Sequence, residues 1–135
     1  VPGLAFITKL RPVTYNLNIH RQNDMVYANS EKNEGDWQGK YDIENIKMTG
    51  FLAQEVEQAA KESGYDFSGV QVPENPDDLY SLRYSDFVMP LVKSVQELSE
   101  ENKVLKTELN EIRAALQLLQ EQIENSSLTK PLHGQ

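Results

Sequence analysis

The sequence predicts an α+β protein, with a small globule of two or three strands and a short helix followed by a long C-terminal coiled-coil helix. Apolar and polar side chains alternate at residues 13–19 and 80–84, which is the period of a half-buried strand. Residues 52–61 form an amphipathic helical pattern, and a heptad repeat runs through residues 95–123. The expected parts are a globule at 1–84 with a polar excursion at 28–45, a long helix with a parallel coiled coil at 85–125, and a disordered tail at 126–135.

The chain opens with a predicted helical turn and a strand. Leu4, Ile7 and Leu10 line one face of the turn. Pro12 ends it, because the residue before a proline is driven toward an extended conformation. The strand at residues 13–19 follows, and the excursion after it is too polar to bury much surface.

The second half of the globule holds the predicted short helix. Its apolar face is shared by four residues, Leu52, Val56, Ala59 and Ala60. Glu57 and Lys61 have the spacing of an i,i+4 ion pair, and Gly64 is placed to cap the C-terminus. A brief strand is expected at Val70 and Val72, before the more regular one at residues 80–84.

The long helix is predicted to begin near Ser85, whose hydroxyl can cap it while Asp86 complements the helix dipole. Pro90 lies close to this start and predicts a local bend or a slightly later beginning. Ser85 and Asp86 are also a Ser-Asp pair, but the next lysine, Lys93, is two helical turns away. We therefore favour the capping role over a catalytic one.

From Val95 onward, apolar residues recur at spacings that alternate between three and four, which defines a heptad seam. The a positions are Val95, Asn102, Leu109, Leu116 and Ile123, and the d positions are Leu98, Leu105, Ile112 and Leu119. Ion pairs from g to the following e form between parallel neighbours, so we expect interchain pairing of Glu101 with Lys106 and of Glu108 with Arg113.

The apolar seam residues supply the expected affinity. Burying all eight of them contributes about 12 to 24 kcal/mol per chain before ordering costs, against an association cost of about 4 to 15 kcal/mol. A single helix folded back on its own globule is the alternative. It is disfavoured because about 40 helical residues extend about 60 Å, farther than a globule of about 80 residues can cover.

The seam leaves the copy number open. Val95 at a with Leu98 at d favours two strands, whereas Leu109 at a with Ile112 at d favours three or four. Asn102 at a indicates register and pairing specificity. Dimer and trimer are therefore nearly tied on the seam alone.

The amino-acid composition limits which ligands and binding partners are expected for this chain. The formal charge of −8 repels phosphate backbones and no Lys/Arg cluster offsets it, so nucleic acid is not an expected partner. Cysteine is absent, which removes disulfides and thiolate metal sites. No apolar run approaches the length of a membrane span, about 20 residues. The chain starts at Val1 rather than Met, so we expect it to be part of a longer polypeptide.

No metal, cofactor or catalytic site is expected. His20 and His133 have no partners at metal-ligand spacing. Glu74, Asp77 and Asp78 lack the alternating oxygen ligands of a calcium loop, so they are interpreted as a solvated acidic turn. No glycine-rich phosphate cradle occurs.

Three stretches and the entry into the helix resemble a known family. They are LRPVTY at residues 10–15, GFLAQEVE at 50–57, LRYSDF at 82–87, and the helix entry VKSVQEL at 92–98. In this order they resemble the endosialidase-type intramolecular chaperone domain of phage tail fibres, tailspikes and neck appendages, a self-cleaving serine peptidase family. The motif residues to which we assign structural roles are Pro12, Tyr15, Gly50, Phe51, Gln54, Glu55, Leu82, Tyr84 and Phe87.

The resemblance implies a homotrimeric C-terminal module that helps an upstream fibre, tailspike or adhesin domain of the same polypeptide to fold and assemble. A local trimeric clamp suits that task, because intertwined fibres have high contact order and nucleate slowly. In the family, self-cleavage uses a serine at a Ser-Asp bond and a lysine shortly after it. Both would lie upstream of residue 1, so no catalytic residue is predicted in this chain.

Two other functions stay open. The chain could be a released or truncated piece of a self-cleaving serine peptidase parent, or a plain oligomerisation domain of an adhesin stalk. We expect a phage virion component or a bacterial protein that is secreted or held at the cell surface. The lengths of the polar excursion at residues 28–45 and of the loop at residues 64–78 favour a bacterial or prophage-derived relative.

Overall fold

The structure is a computed structural model that describes residues 1–27, 35, 37–76 and 78–128. Its contacts separate two compact units, Val1–Ser94 and Val95–Gln135. The α+β class is confirmed, because short antiparallel strand pairs accompany helices that include one long C-terminal helix. Much of the predicted polar excursion, Asp77, and the last residues of the predicted tail lie outside the described residues.

The first strand pair brings two distant segments together. Strand β1, Val13–Tyr15, pairs antiparallel with β2, Met48–Gly50, and Val13 lies opposite Gly50. The prediction that this strand continues to Ile19 is wrong, since the strand ends at Tyr15. The Asn16 side chain explains this end, because its amide donates to the backbone carbonyls of Glu44 and Ile46 at 2.8 and 3.3 Å.

A helix follows β1, although the alternating sequence pattern predicts a strand there. Helix α2, Ile19–Tyr27, begins after Asn18, whose Oδ1 accepts the backbone N–H of Arg21 at 2.9 Å. The Glu44 carboxylate, in the 3₁₀ turn Asp42–Asn45, accepts the backbone N–H groups of Ile19 and His20 at 2.6 and 3.2 Å. These caps satisfy amides that the first turn leaves unpaired, so Ile19 starts a helix instead of ending a strand.

The predicted turn and short helix pack around an aromatic core. Helix α1 spans Leu4–Ile7 and helix α3 spans Ala53–Glu62. Leu52, which was expected on the buried face, instead precedes α3 and is exposed. Gly64 has φ +60° just beyond α3, the left-handed conformation typical of a helix C-cap. The buried hydrophobic residues of this core are Phe6, Val56, Ala59, Ala60, Phe67 and Phe87.

The second strand pair is short. Strand β3, Val70–Gln71, confirms the brief strand, and it pairs antiparallel with β4, Ser81–Leu82. The strand predicted to reach Tyr84 ends earlier, because the 3₁₀ turn Tyr84–Phe87 follows. The Arg83 N–H donates to the Gly69 carbonyl at 2.8 Å, which marks the last tie between the two segments before that turn.

Helix α4 spans Val88–Leu128. The prediction that Ser85 caps it is wrong, because Ser85 lies in the preceding 3₁₀ turn and its Oγ donates to Asp86 Oδ1 at 3.2 Å. Pro90 is the third residue of α4, where no N–H is needed for the helical ladder, so it is accommodated without breaking the helix. The helix ends at Leu128, so the first residues of the predicted tail, 126–128, are helical.

Candidate functional site

The three sequence motifs meet around one glycine. Gly50 pairs with Val13 across the β1–β2 ladder, and Tyr84 approaches it from the turn before α4. A Cβ on Gly50 would overlap the Tyr84 hydroxyl and would lie 3.2 Å from Cε1 of Tyr15. The close approach of two tyrosines therefore requires a residue without a side chain at position 50.

A hydrogen bond and a ring stack hold this junction together. The Phe51 N–H donates to the Tyr84 hydroxyl oxygen at 3.0 Å. The rings of Phe51 and Tyr84 are stacked with centroids 6.1 Å apart, and each also stacks on Phe87, at 5.5 and 5.7 Å. Phe87 in turn contacts Phe67 edge-on at 4.8 Å. The junction is thus continuous with the aromatic core.

Phe6 and Phe67 are core residues that the sequence pattern did not predict, and Phe6 is the more deeply buried of the two. Phe6 is fully buried and lies against the rings of Tyr65, Phe67 and Phe87, at 5.3, 4.9 and 6.4 Å. The sequence predicts Leu4, Ile7 and Leu10 as the inner face of this turn, but Phe6 carries the larger apolar surface and is the residue that is buried. The sequence signal that could have identified Phe6 as a core residue is its position between the apolar residues Leu4 and Ile7.

Gln54 and Glu55 occupy different surroundings at the start of α3. The Arg11 Nε donates to Glu55 Oε2 at 3.2 Å, and the Arg11 Nη2 donates to Glu55 Oε1. This ion pair joins the second motif to the first and accounts for a carboxylate at position 55 without any catalytic role. Gln54 is exposed and lines an open groove beside Phe51 and Tyr84.

Asp86 organises the approach to α4. Its Oδ2 accepts the Ser68 hydroxyl at 2.8 Å and the Arg83 Nε and Nη2 at 3.3 and 3.2 Å. The Ser68 hydrogen bond, with smaller contributions from Ser85 and Arg83, holds the pKa of Asp86 below its usual value. The Ser-Asp pair therefore belongs to a structural network that ties the β3 segment to the turn before α4.

The residues assigned to the heptad seam share one face of the continuous helix α4. All eight apolar members are exposed in the single chain, at 45 to 67%. Asn102 donates from its side-chain amide to the Leu98 carbonyl at 2.8 Å. The two expected interchain ion pairs, Glu101 with Lys106 and Glu108 with Arg113, remain predictions.

The described residues also bear on three other possibilities, a metal site, a role for His20 and a membrane-spanning helix. Within them, no group of three or more His, Cys, Asp or Glu side chains could hold a metal ion. His20 Nδ1 lies 3.0 Å from Glu44 Oε1 and its ring stacks on Tyr41, which places it beside the start of α2. In the same ranges, no helix is long and apolar enough to cross a membrane.

Comparison with known proteins supports the resemblance. Residues 2–65 match the family model described as chaperone of endosialidase. This segment belongs to the endosialidase chaperone family. No curated protein and no solved structure gives a significant match to the chain.

The family match covers two of the three motifs. Residues 10–15 and 50–57 lie inside it, whereas LRYSDF at residues 82–87 lies beyond its end. The structure nevertheless places Tyr84 and Phe87 against Gly50 and Phe51. The endosialidase chaperone segment therefore completes its core with residues that follow the matched range. The match supports a chaperone-domain role for this part of the chain.

Proposed function

We propose that this chain is a C-terminal intramolecular chaperone that joins three copies of itself through α4. In this proposal the trimer aligns an upstream fibre, tailspike or adhesin segment of the same polypeptide. The observation that carries the proposal is the exposed apolar seam. A helix with such a stripe on one face gains most of its stability from packing that stripe against a partner.

The charges beside the seam support a parallel arrangement. Glu101 and Glu108 lie at g, and Lys106 and Arg113 lie five residues after them at e. Side chains five residues apart do not face each other on one helix, so these opposite charges can form ion pairs only between neighbouring helices. The family membership of residues 2–65 supports three copies over two, because trimers are what the resemblance implies.

Two leucines test the seam directly. Leu116 lies at a and Leu118 lies at c, two residues away, and both are about equally exposed in the single chain, at 54 and 59%. We expect Leu116→Ala to destabilise the assembly by about 2 to 5 kcal/mol per buried side chain. The matched control Leu118→Ala should change stability by less than about 0.5 kcal/mol.

Light scattering and concentration-dependent thermal unfolding provide the measurements. A trimer at micromolar concentration, with unfolding temperatures that rise with chain concentration, supports the proposal. A monomeric chain, or equal effects of the two alanine substitutions, would refute it.

The upstream role needs the longer polypeptide. We expect Leu116→Glu in the parent protein to lower the yield of correctly assembled upstream segment, with Leu118→Glu as the matched control. If the upstream segment assembles normally with Leu116→Glu, the chain is a plain stalk and not a chaperone.

A further inference from the structure

The first two turns of α4 carry an apolar face in register with the seam. Val88 lies seven residues before Val95, and Leu91 lies seven before Leu98, so they occupy a and d of a preceding heptad. They are 48 and 46% exposed, like the seam residues that follow. The helix is continuous through this segment, so the heptad register carries over without a break.

One flank of the same turns, at heptad positions c and g, is packed within the first unit. Pro90 and Ser94 are buried, and Phe87 just before the helix belongs to the aromatic core. The buried Ser94 hydroxyl donates to the Pro90 carbonyl at 2.8 Å, so it needs no partner from outside the helix. The segment is therefore anchored along the flank that holds Pro90 and Ser94, while the neighbouring a and d positions stay exposed.

Val92 widens the exposed apolar face formed by Val88 and Leu91. It lies at e and is 48% exposed, whereas the e positions of the later heptads hold the polar residues Ser99, Lys106, Arg113 and Gln120. An apolar residue at e, added to apolar a and d, gives the broader stripe of a helix that is covered from more than one direction. In a dimer the e position lies at the rim, so this broader stripe matches an assembly of three helices.

We propose that Val88, Leu91 and Val92 contact the same residues of the other two copies, so that self-association begins within the first unit and not at Val95. The inference rests on the proposed trimer and adds to it. The occupant of this face is a second copy of the chain, because the face continues the heptad register of the proposed seam. The globular units are then joined directly to one another, beside Phe87 of each core.

Disulfide trapping tests the contact, because the chain has no cysteine of its own. Leu91→Cys and Val88→Cys each place one thiol on the proposed face. Met89→Cys, at b and 61% exposed, is the off-face control. Leu105→Cys reports the seam of the proposed function. Circular dichroism confirms that each variant folds before mild oxidation and a non-reducing gel.

We expect linked chain pairs from Leu105→Cys, Leu91→Cys and Val88→Cys, and at least tenfold less from Met89→Cys. Linkage at Leu105 with none at Leu91 or Val88 overturns this inference and leaves the proposed trimer standing. Equal linkage at Met89 and Leu91 also overturns it, because the contact would not follow the heptad. A monomer without linkage at Leu105 removes both proposals.

Discussion

The hydroxyl oxygen of Tyr84 accepts a hydrogen bond from the backbone N–H of Phe51, 3.0 Å away and 33 residues earlier in the chain. The bond joins the segment between β2 and α3 to the 3₁₀ turn that precedes α4. It forms only because Gly50 leaves room for the phenol. One glycine thus controls whether the second and third motifs can meet.

Gly50→Ala should weaken the fold through Tyr84. The new methyl group displaces the phenol, and losing its hydrogen bond costs about 0.5 to 1.5 kcal/mol. In a Tyr84→Phe background the hydroxyl is already gone, so we expect Gly50→Ala to cost less there. Chemical unfolding of the two single variants and the double variant measures the coupling. Gly35→Ala, with open space around it, is the control. If the destabilisations caused by Gly50→Ala and Tyr84→Phe simply add in the double variant, the Tyr84 hydroxyl is not what makes Gly50→Ala unfavourable.

Asp86 should make the globule sensitive to acid. Its folded pKa is depressed, chiefly by the Ser68 hydroxyl, so its contribution is present above its unfolded pKa and is lost as pH falls through the folded value. Unfolding of the native chain should therefore show a loss of stability below about pH 4. The loss should be smaller in Asp86→Asn, which keeps the contributions of Glu44, Glu57 and Glu62, whose pKa values are also lowered. Asp24→Asn, on the exposed helix α2, is the control for removing one carboxylate. Parallel pH profiles of native chain and Asp86→Asn would contradict the assignment.

Charge exchange tests the parallel alignment. Glu101→Lys or Lys106→Glu alone places like charges across the proposed interface, and each should lower assembly stability by about 0.2 to 1 kcal/mol per pair. The double exchange should recover most of the loss, and salt should shrink all three effects. Thermal unfolding at low and high ionic strength provides the comparison. If the double variant is as weak as the sum of the singles, the helices do not pair these residues.

Asn102→Ile should raise stability and loosen register. The amide of Asn102 is satisfied by its own helix, so replacing it leaves no orphaned partner and adds apolar surface to the seam, about 1.5 to 3 kcal/mol for a buried side chain. A polar a position penalises shifted alignments, and that penalty disappears with isoleucine. Disulfide trapping with cysteines placed one heptad apart measures register. An equally narrow pattern of linked positions in the variant would refute this role.

Local patterns predicted helices α3 and α4 well, but they predicted a strand where helix α2 begins. Helix α3 follows from the spacing of Val56, Ala59 and Ala60, and α4 follows from its heptads. The strand over residues 13–19 was predicted too long, because Asn18 and the distant Glu44 cap a helix there. Glu44 lies 25 residues beyond Ile19, a distance over which periodicity carries no information.

The sequence by itself determined the fold class, the heptad register and the motifs that led to the chaperone family. These properties depend on residues close together in the chain, where helical or strand geometry sets the spacing. Only the tertiary structure decided that Phe6 centres the core, that Asp86 binds Ser68 and that Gly50 makes room for Tyr84. Each of these contacts joins segments brought close by packing, and short-range van der Waals and hydrogen-bond forces act only after that approach.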